Sequence, residues 1–245
     1  MPTITDTITT SDGTCPVTLA TPDGAGPWPG VVMYPDAGGR RPVFDEMAER
    51  LAGYGYAVLV PDVYYRDGDW TPFEMATVFS DDDERKRLFG MISKVTPDYA
   101  AADAATFFDY LQSRPEVSGT TFGTTGYCMG GRTSLIVAGR VPERVAAAMS
   151  FHGGGLASDD PASPHLLADR IRGSVYIGGA EDDASFTAAQ ADTLDQALTA
   201  AGVEHTIETY AAAHGFAVPD NAPYDPDAAK RHWDAMKSHF GAKLG

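Results

Sequence analysis

A thiol, an imidazole and a pair of carboxylates stand where a covalent catalyst would need them. The thiol is Cys128, in the run Gly123-Thr124-Thr125-Gly126-Tyr127-Cys128-Met129-Gly130-Gly131-Arg132. A strand-like stretch stops at Tyr127, and a helix-like stretch runs from Gly130 through Ala138. Glycine two residues before and two residues after the cysteine is a nucleophile-elbow pattern, with Cys in place of the usual Ser. The turn is so sharp that side chains at the flanking positions would clash. Such a turn lifts the sulfur to the end of a strand and the start of a helix, where a developing negative charge is favoured. The next backbone N–H, that of Met129, can then point at an oxyanion. A thiol nucleophile needs a base, and the base needs a group to orient it. His214, before Gly215-Phe216, supplies the base, and Asp182 or Asp183 supplies the acid. Asp183 is preferred because Phe186, three residues on, can anchor the next helix; Asp182 is the alternative. This set suits attack on an acyl carbonyl.

These residues need elements that bring them together. Residues 3 to 21 alternate around Ser11-Asp12-Gly13 and predict an N-terminal β-hairpin. Gly30–Tyr34, Tyr56–Val60, Ala146–Phe151, Ser174–Ile177 and His205–Tyr210 read as strands, the first two apolar throughout. Fully apolar strands are buried on both faces, as in parallel sheets covered by helices. Helices are expected near Val43–Gly53, Tyr99–Leu111, Phe186–Ala201 and Asp227–Phe240. The repeated β-α-β order predicts a single α/β domain over residues 1–245: a doubly wound, mostly parallel sheet with helices on both faces. Ligands of such sheets bind beyond the strand C-termini. Asp36, Cys128, Asp182/Asp183 and His214 all fall at such ends. Residues 65–97 interrupt the rhythm and are expected to lie over the site as a lid-like insertion. Their run Asp81-Asp82-Asp83-Glu84-Arg85-Lys86-Arg87 reads mainly as a solvated helix.

Composition narrows the partners. The 245 residues carry a formal net charge of -16, with no basic patch, which argues against nucleic acid. A hydrophobic content of 43% suffices for a large core without disulfides, so Cys15 and Cys128 are read as free thiols in a reducing, cytoplasmic compartment. No apolar run approaches the ~20 residues of a membrane span. Gly38-Gly39 lacks the residues of a phosphate loop, and no histidines have metal-ligand spacing, so neither cofactor nor metal is expected. His152 reads as a loop histidine beside three glycines, with a place in the pocket wall as the other option. His165, His205, His232 and His239 read as surface residues.

The elbow Gly126-Tyr127-Cys128-Met129-Gly130-Gly131 matches the Gly-Tyr-Cys-x-Gly-Gly of the dienelactone hydrolases, a branch of the α/β-hydrolase fold with a catalytic cysteine. Gly55-Tyr56-Ala57 with Pro61-Asp62-Val63-Tyr64, and His214-Gly215-Phe216-Ala217, resemble two further motifs of that family. The resemblance runs from about Asp12 to Phe240. It implies a carboxylic ester hydrolase acting on a small-molecule ester or lactone through an acyl-thioester. It also implies a second oxyanion donor, the N–H of Ala37. Asp36 stands where the family places a glutamate that pairs with the resting thiol. Arg87 stands where the family binds a substrate carboxylate. A second anion-binding arginine of the family is Val218 here, which opens the alternative of a neutral-ester esterase or thioesterase. A binding protein that keeps the fold without turnover is the reading from another class.

Overall fold

The computed structural model describes residues 1–245. β1 (Thr3–Thr10) and β2 (Gly13–Ala20) form the expected hairpin, with Thr10 opposite Gly13. They continue into β3 (Trp28–Tyr34), β4 (Ala57–Pro61), β5 (Val117–Tyr127), β6 (Val145–Phe151), β7 (Ser174–Asp182) and β8 (His205–Ala213). All eight strands belong to one sheet in the order β1-β2-β4-β3-β5-β6-β7-β8. The pairs β1–β2 and β2–β4 are antiparallel, and every other pair is parallel. The chain goes from β3 to β4 on one side, then crosses back to β5 on the other. The strand order therefore reverses between β3 and β5, which opens a crevice at their C-terminal ends.

Burial follows the two-residue period of a strand. Val31 and Met33 of β3 enter one apolar core, while Val32 and Tyr34 enter the other. The first core is closed by α1 (Pro42–Ala52) and α6 (Pro226–Lys243), through Phe44, Met47, Leu51, Trp233, Met236 and Phe240. The second is closed by α3 (Pro97–Ser113), α4 (Met129–Arg140) and α5 (Ala188–Ala200). This is the mixed α/β architecture expected from the apolar runs. Complete burial of a Val, Leu, Ile, Phe or Met side chain contributes about 1.5–3 kcal/mol, so these two layers dominate stability. No helix is long and apolar enough to cross a membrane.

Several elements differ from their sequence-based limits. β7 runs on to Asp182 because its Gly178-Gly179-Ala180 segment pairs with β8, which itself extends to Ala213. α5 starts at Ala188, capped by the Thr187 hydroxyl, and leaves Phe186 buried in the loop before it. His232 is not a surface residue. On α6 it falls on the same face as Ala229, Met236 and Phe240 and is fully buried. Its Nδ1 donates to the Ala229 carbonyl (2.9 Å), so Nε2 accepts from the Tyr127 hydroxyl (2.9 Å). Burial lowers its pKa to about 3, which keeps it neutral. His165, His205 and His239 are half-buried rather than exposed. Residues 65–97 hold a 3-10 turn (Tyr65–Asp67) and α2 (Asp82–Ile92), capped by the Asp81 carboxylate. Phe73, Val78, Leu88 and Met91 join Ala37 and Tyr64 in a small third apolar cluster.

Candidate active site

Cys128 sits between β5 and α4 with φ 53° and ψ −115°. A non-glycine residue held there costs about 1–3 kcal/mol, so the surroundings must fix it. Its N–H donates to the Phe151 carbonyl (3.1 Å), and its own carbonyl accepts from the N–H groups of Gly131 (3.1 Å) and Arg132 (3.2 Å). The flanking glycines are needed for close approach. A Cβ on Gly126 would run into the Gly130 carbonyl, and one on Gly130 would strike the carbonyl oxygens of Tyr34 and Pro35. Thus the strand before the elbow, the helix after it and the end of β3 are packed backbone to backbone. Met129 opens α4, so its N–H has no partner within the helix. Ala37 lies across the crevice, just beyond β3. The Tyr64 hydroxyl donates to the Ala37 carbonyl (2.7 Å) and lies 3.6 Å from the Met129 sulfur, which ties the two sides together.

His214 follows β8 directly, and Asp183 follows β7. His214 Nδ1 lies 2.7 Å from Asp183 Oδ2. The other carboxylate oxygen accepts from the Ser185 N–H (2.8 Å) and hydroxyl (2.6 Å). The Asp183 side chain is 2% exposed and that of His214 is 32% exposed, so the acid is enclosed and the ring reaches the surface of the cavity. Asp182 points outward. Only its main-chain carbonyl meets His214, accepting the His214 N–H at 3.2 Å. Of the two aspartates, Asp183 therefore faces the imidazole. Burial opposes the charge on His214, but the Asp183 hydrogen bond and the neighbouring Cys128 sulfur outweigh it and raise the pKa to about 10. Burial would raise the Asp183 carboxyl, yet His214 and Ser185 hold it below the usual value.

His152 packs edge-on against His214, ring centres 5.1 Å apart, and against Phe216 at 5.2 Å. It is fully buried, and neither ring nitrogen has a hydrogen-bond partner. Burial first, then the nearby His214 and His232, push its pKa well below the usual range, so it is a neutral buttress. It is the loop histidine beside three glycines that the sequence suggests, though buried, and it is not part of the cavity wall.

Cys128, His214, Asp36 and Ala37 share one cavity of about 420 Å³. Met75, Ala76, Phe79 and Ser80 of the 65–97 insertion roof it, and Asn221, Ala222 and Pro223 close the far side. Asp36 does line this space, but its carboxylate is already committed. Oδ1 accepts from the Gly38 N–H (2.9 Å) and Arg41 Nη1 (2.6 Å), and Oδ2 accepts from Arg41 Nη2 (3.0 Å) and Asn221 Nδ2 (3.1 Å). No hydrogen bond joins it to Cys128. Arg87 is not brought to the cavity. It grips Glu84 (2.6 and 3.0 Å), donates to the Thr71 carbonyl (2.9 Å) and stacks on Phe73. It lines a different, more open space of about 750 Å³ together with Lys94 and Asp67. The larger volume holds none of the thiol, imidazole or enclosed carboxylate. Val218 is fully buried in the core. Sequence reasoning missed Arg41, which Asp36 and Asp220 hold from two sides. Its only local signal was an arginine pair between Gly39 and Pro42.

The model of the dienelactone hydrolase family matches residues 15–244. A protein of Synechocystis sp., named as a candidate carboxymethylenebutenolidase, is 28% identical over 230 residues, covering 92% of this chain and 91% of its own. The carboxymethylenebutenolidase of Rhodococcus opacus is 28% identical over 215 residues, covering 86% and 79%. Among solved structures, that of a candidate dienelactone hydrolase from Klebsiella pneumoniae superposes with a TM-score of 0.83. It is 26% identical and covers 98% of this chain and 99% of its own.

Proposed function

Because the chain belongs to the dienelactone hydrolase family, a family of hydrolases, we propose that it cleaves ester or lactone bonds with Cys128 as nucleophile, His214 as base and acid, and Asp183 as orienter. The observation that carries this reading is the 2.7 Å contact between Asp183 and His214, on a ring that opens into the cavity lined by Cys128. With Nδ1–H donated to Asp183, the other ring nitrogen is left to exchange a proton with the thiol. His214 takes the thiol proton, and the sulfur attacks the acyl carbonyl. The N–H groups of Met129 and Ala37 receive the oxyanion. The C–O bond then breaks as His214 returns the proton to the leaving alkoxide. Water, deprotonated by His214, attacks the thioester, and the C–S bond breaks to give the acid and the free thiol. A strained backbone at Cys128 fits this reading, since such strain is kept where surrounding structure and function both require it. The insertion at 65–97 serves as the roof of the site within a single domain. Two unpaired thiols, Cys15 and Cys128, suit a reducing compartment such as the cytoplasm.

Intact-mass measurement during turnover of a p-nitrophenyl ester tests the mechanism. The wild type is expected to gain one acyl mass on the Cys128 peptide, labile to hydroxylamine. Cys128→Ala is expected to gain none and to lose turnover by at least about a thousandfold. Turnover that survives in Cys128→Ala would overturn the assignment. His214→Ala separates enzyme from binder: a binder would have no turnover to lose.

A further inference from the structure

We infer that the Cys128 cavity selects uncharged esters and turns away substrates that carry a carboxylate. The inference rests on the hydrolase reading above and concerns the substrate class of that same site. It starts from donors and acceptors. A guanidinium has five N–H donors. All of those on Arg41 are spent: one on the Gly39 carbonyl, two on Asp36 and two on Asp220. The Asp36 carboxylate is equally full, with four donors on its two oxygens. Asp36 and Asp220 together outweigh Arg41, so the cluster carries a net negative charge, and its member on the cavity wall is the carboxylate Asp36. Arg41 and Asp36 are enclosed, at 6% and 3% exposure, so water screens that pair little, whereas Asp220 is 39% exposed.

No other cation offers itself. The cavity wall holds neither lysine nor arginine. Arg87 faces another space and is neutralised by Glu84. The charge on His214 is matched by Asp183 at 2.7 Å. What remains of the wall is mostly apolar, Met75, Phe79, Ala222 and Pro223, beside the Asn221 amide and a Ser80 hydroxyl already donated to the Thr77 carbonyl (2.8 Å). A substrate carboxylate would give up its water and meet no cationic partner, a difference of roughly tenfold or more in binding. An alkyl group of the same length would instead be covered by Met75 and Phe79.

Paired substrates test this: p-nitrophenyl hexanoate and the mono-p-nitrophenyl ester of adipic acid, equal in acyl length and differing by the terminal carboxylate. The expected kcat/KM is at least about tenfold higher for the hexanoate at moderate salt. A ratio below that, with both activities lost in Cys128→Ala, would overturn the inference and leave the hydrolase reading standing. Hydrolysis of neither ester, or hydrolysis that survives Cys128→Ala, would overturn that reading and the inference with it. Ala76→Lys adds a free cation at the exposed rim of the roof. The anionic-to-neutral ratio should then rise at least about threefold. An unchanged ratio would mean that charge is not what excludes the acid.

Discussion

Replacing Asp36 by Asn isolates the buried ion network from any role in chemistry. The side chain keeps its shape, and one amide oxygen can still accept from the Gly38 N–H and Arg41 Nη1. The other oxygen becomes an NH₂ that faces two donors, Arg41 Nη2 and Asn221 Nδ2. A charged hydrogen bond is lost and donor meets donor in an enclosed space. Breaking a buried pair from one side typically costs 3–5 kcal/mol. Asp220 still holds Arg41 at 2.7 Å, so the lower end applies, about 3 kcal/mol. For a domain of this size that is a fall of roughly 6–12 °C in Tm. Urea unfolding of wild type, Asp36→Asn, Arg41→Met and the double variant measures it. The two single costs should exceed the double by about 1.5 kcal/mol or more, because the first change already leaves the partner uncompensated. A loss under about 1 kcal/mol, the range of an exposed pair, would refute the claim that this network is enclosed and saturated.

Asp183→Asn should lower kcat/KM by about 10²–10⁴, whereas Asp182→Asn should stay within about threefold; equal losses would reverse the assignment of the acid. The raised pKa of His214 has a definite sign in stability. Its contribution is fully present below the unfolded value of 6.5 and is lost as pH rises through about 10. Urea midpoints of the wild type should therefore fall relative to His214→Gln between those limits, and parallel profiles would contradict the shift. Gly130→Ala should destabilise by about 4 kcal/mol or more, because its methyl meets the fixed carbonyls of Tyr34 and Pro35. Gly90→Ala, on α2 with nothing near the added carbon, should instead gain roughly 0.5–1 kcal/mol. Thermal unfolding of both variants compares a glycine kept for space with one that is not.

The chain discloses its local chemistry better than its long-range pairing. The apolar runs, the hairpin turn and the glycines around Cys128 are set by nearest neighbours, and they led to the sheet and the elbow. The preference for Asp183 rested on Phe186, which is buried, though in a loop rather than on the first turn of α5. Arg41 lay outside such reasoning because its partner Asp220 is 179 residues away. Asp36 was legible by position but not by partner, since Asn221, 185 residues away, joins Gly38 and Arg41 in filling its carboxylate. Arg87 matched a motif, yet the i,i+3 contact with Glu84 and the stacking on Phe73 decide where its guanidinium goes. His232 carried a polar name on an apolar helix face, and helical periodicity decided over polarity.

The Tyr127–His232 hydrogen bond sets an order on biosynthesis. Tyr127 immediately precedes Cys128, and its partner lies 105 residues later. A ribosome delivers Cys128 long before it delivers His214, β8 or α6. The nascent chain thus carries the Cys128 thiol without His214 and without the buried imidazole that anchors the residue beside it. The cavity around Cys128 is complete only when the last strand and helix have docked, so a chain interrupted before them holds that thiol without its His214 neighbour.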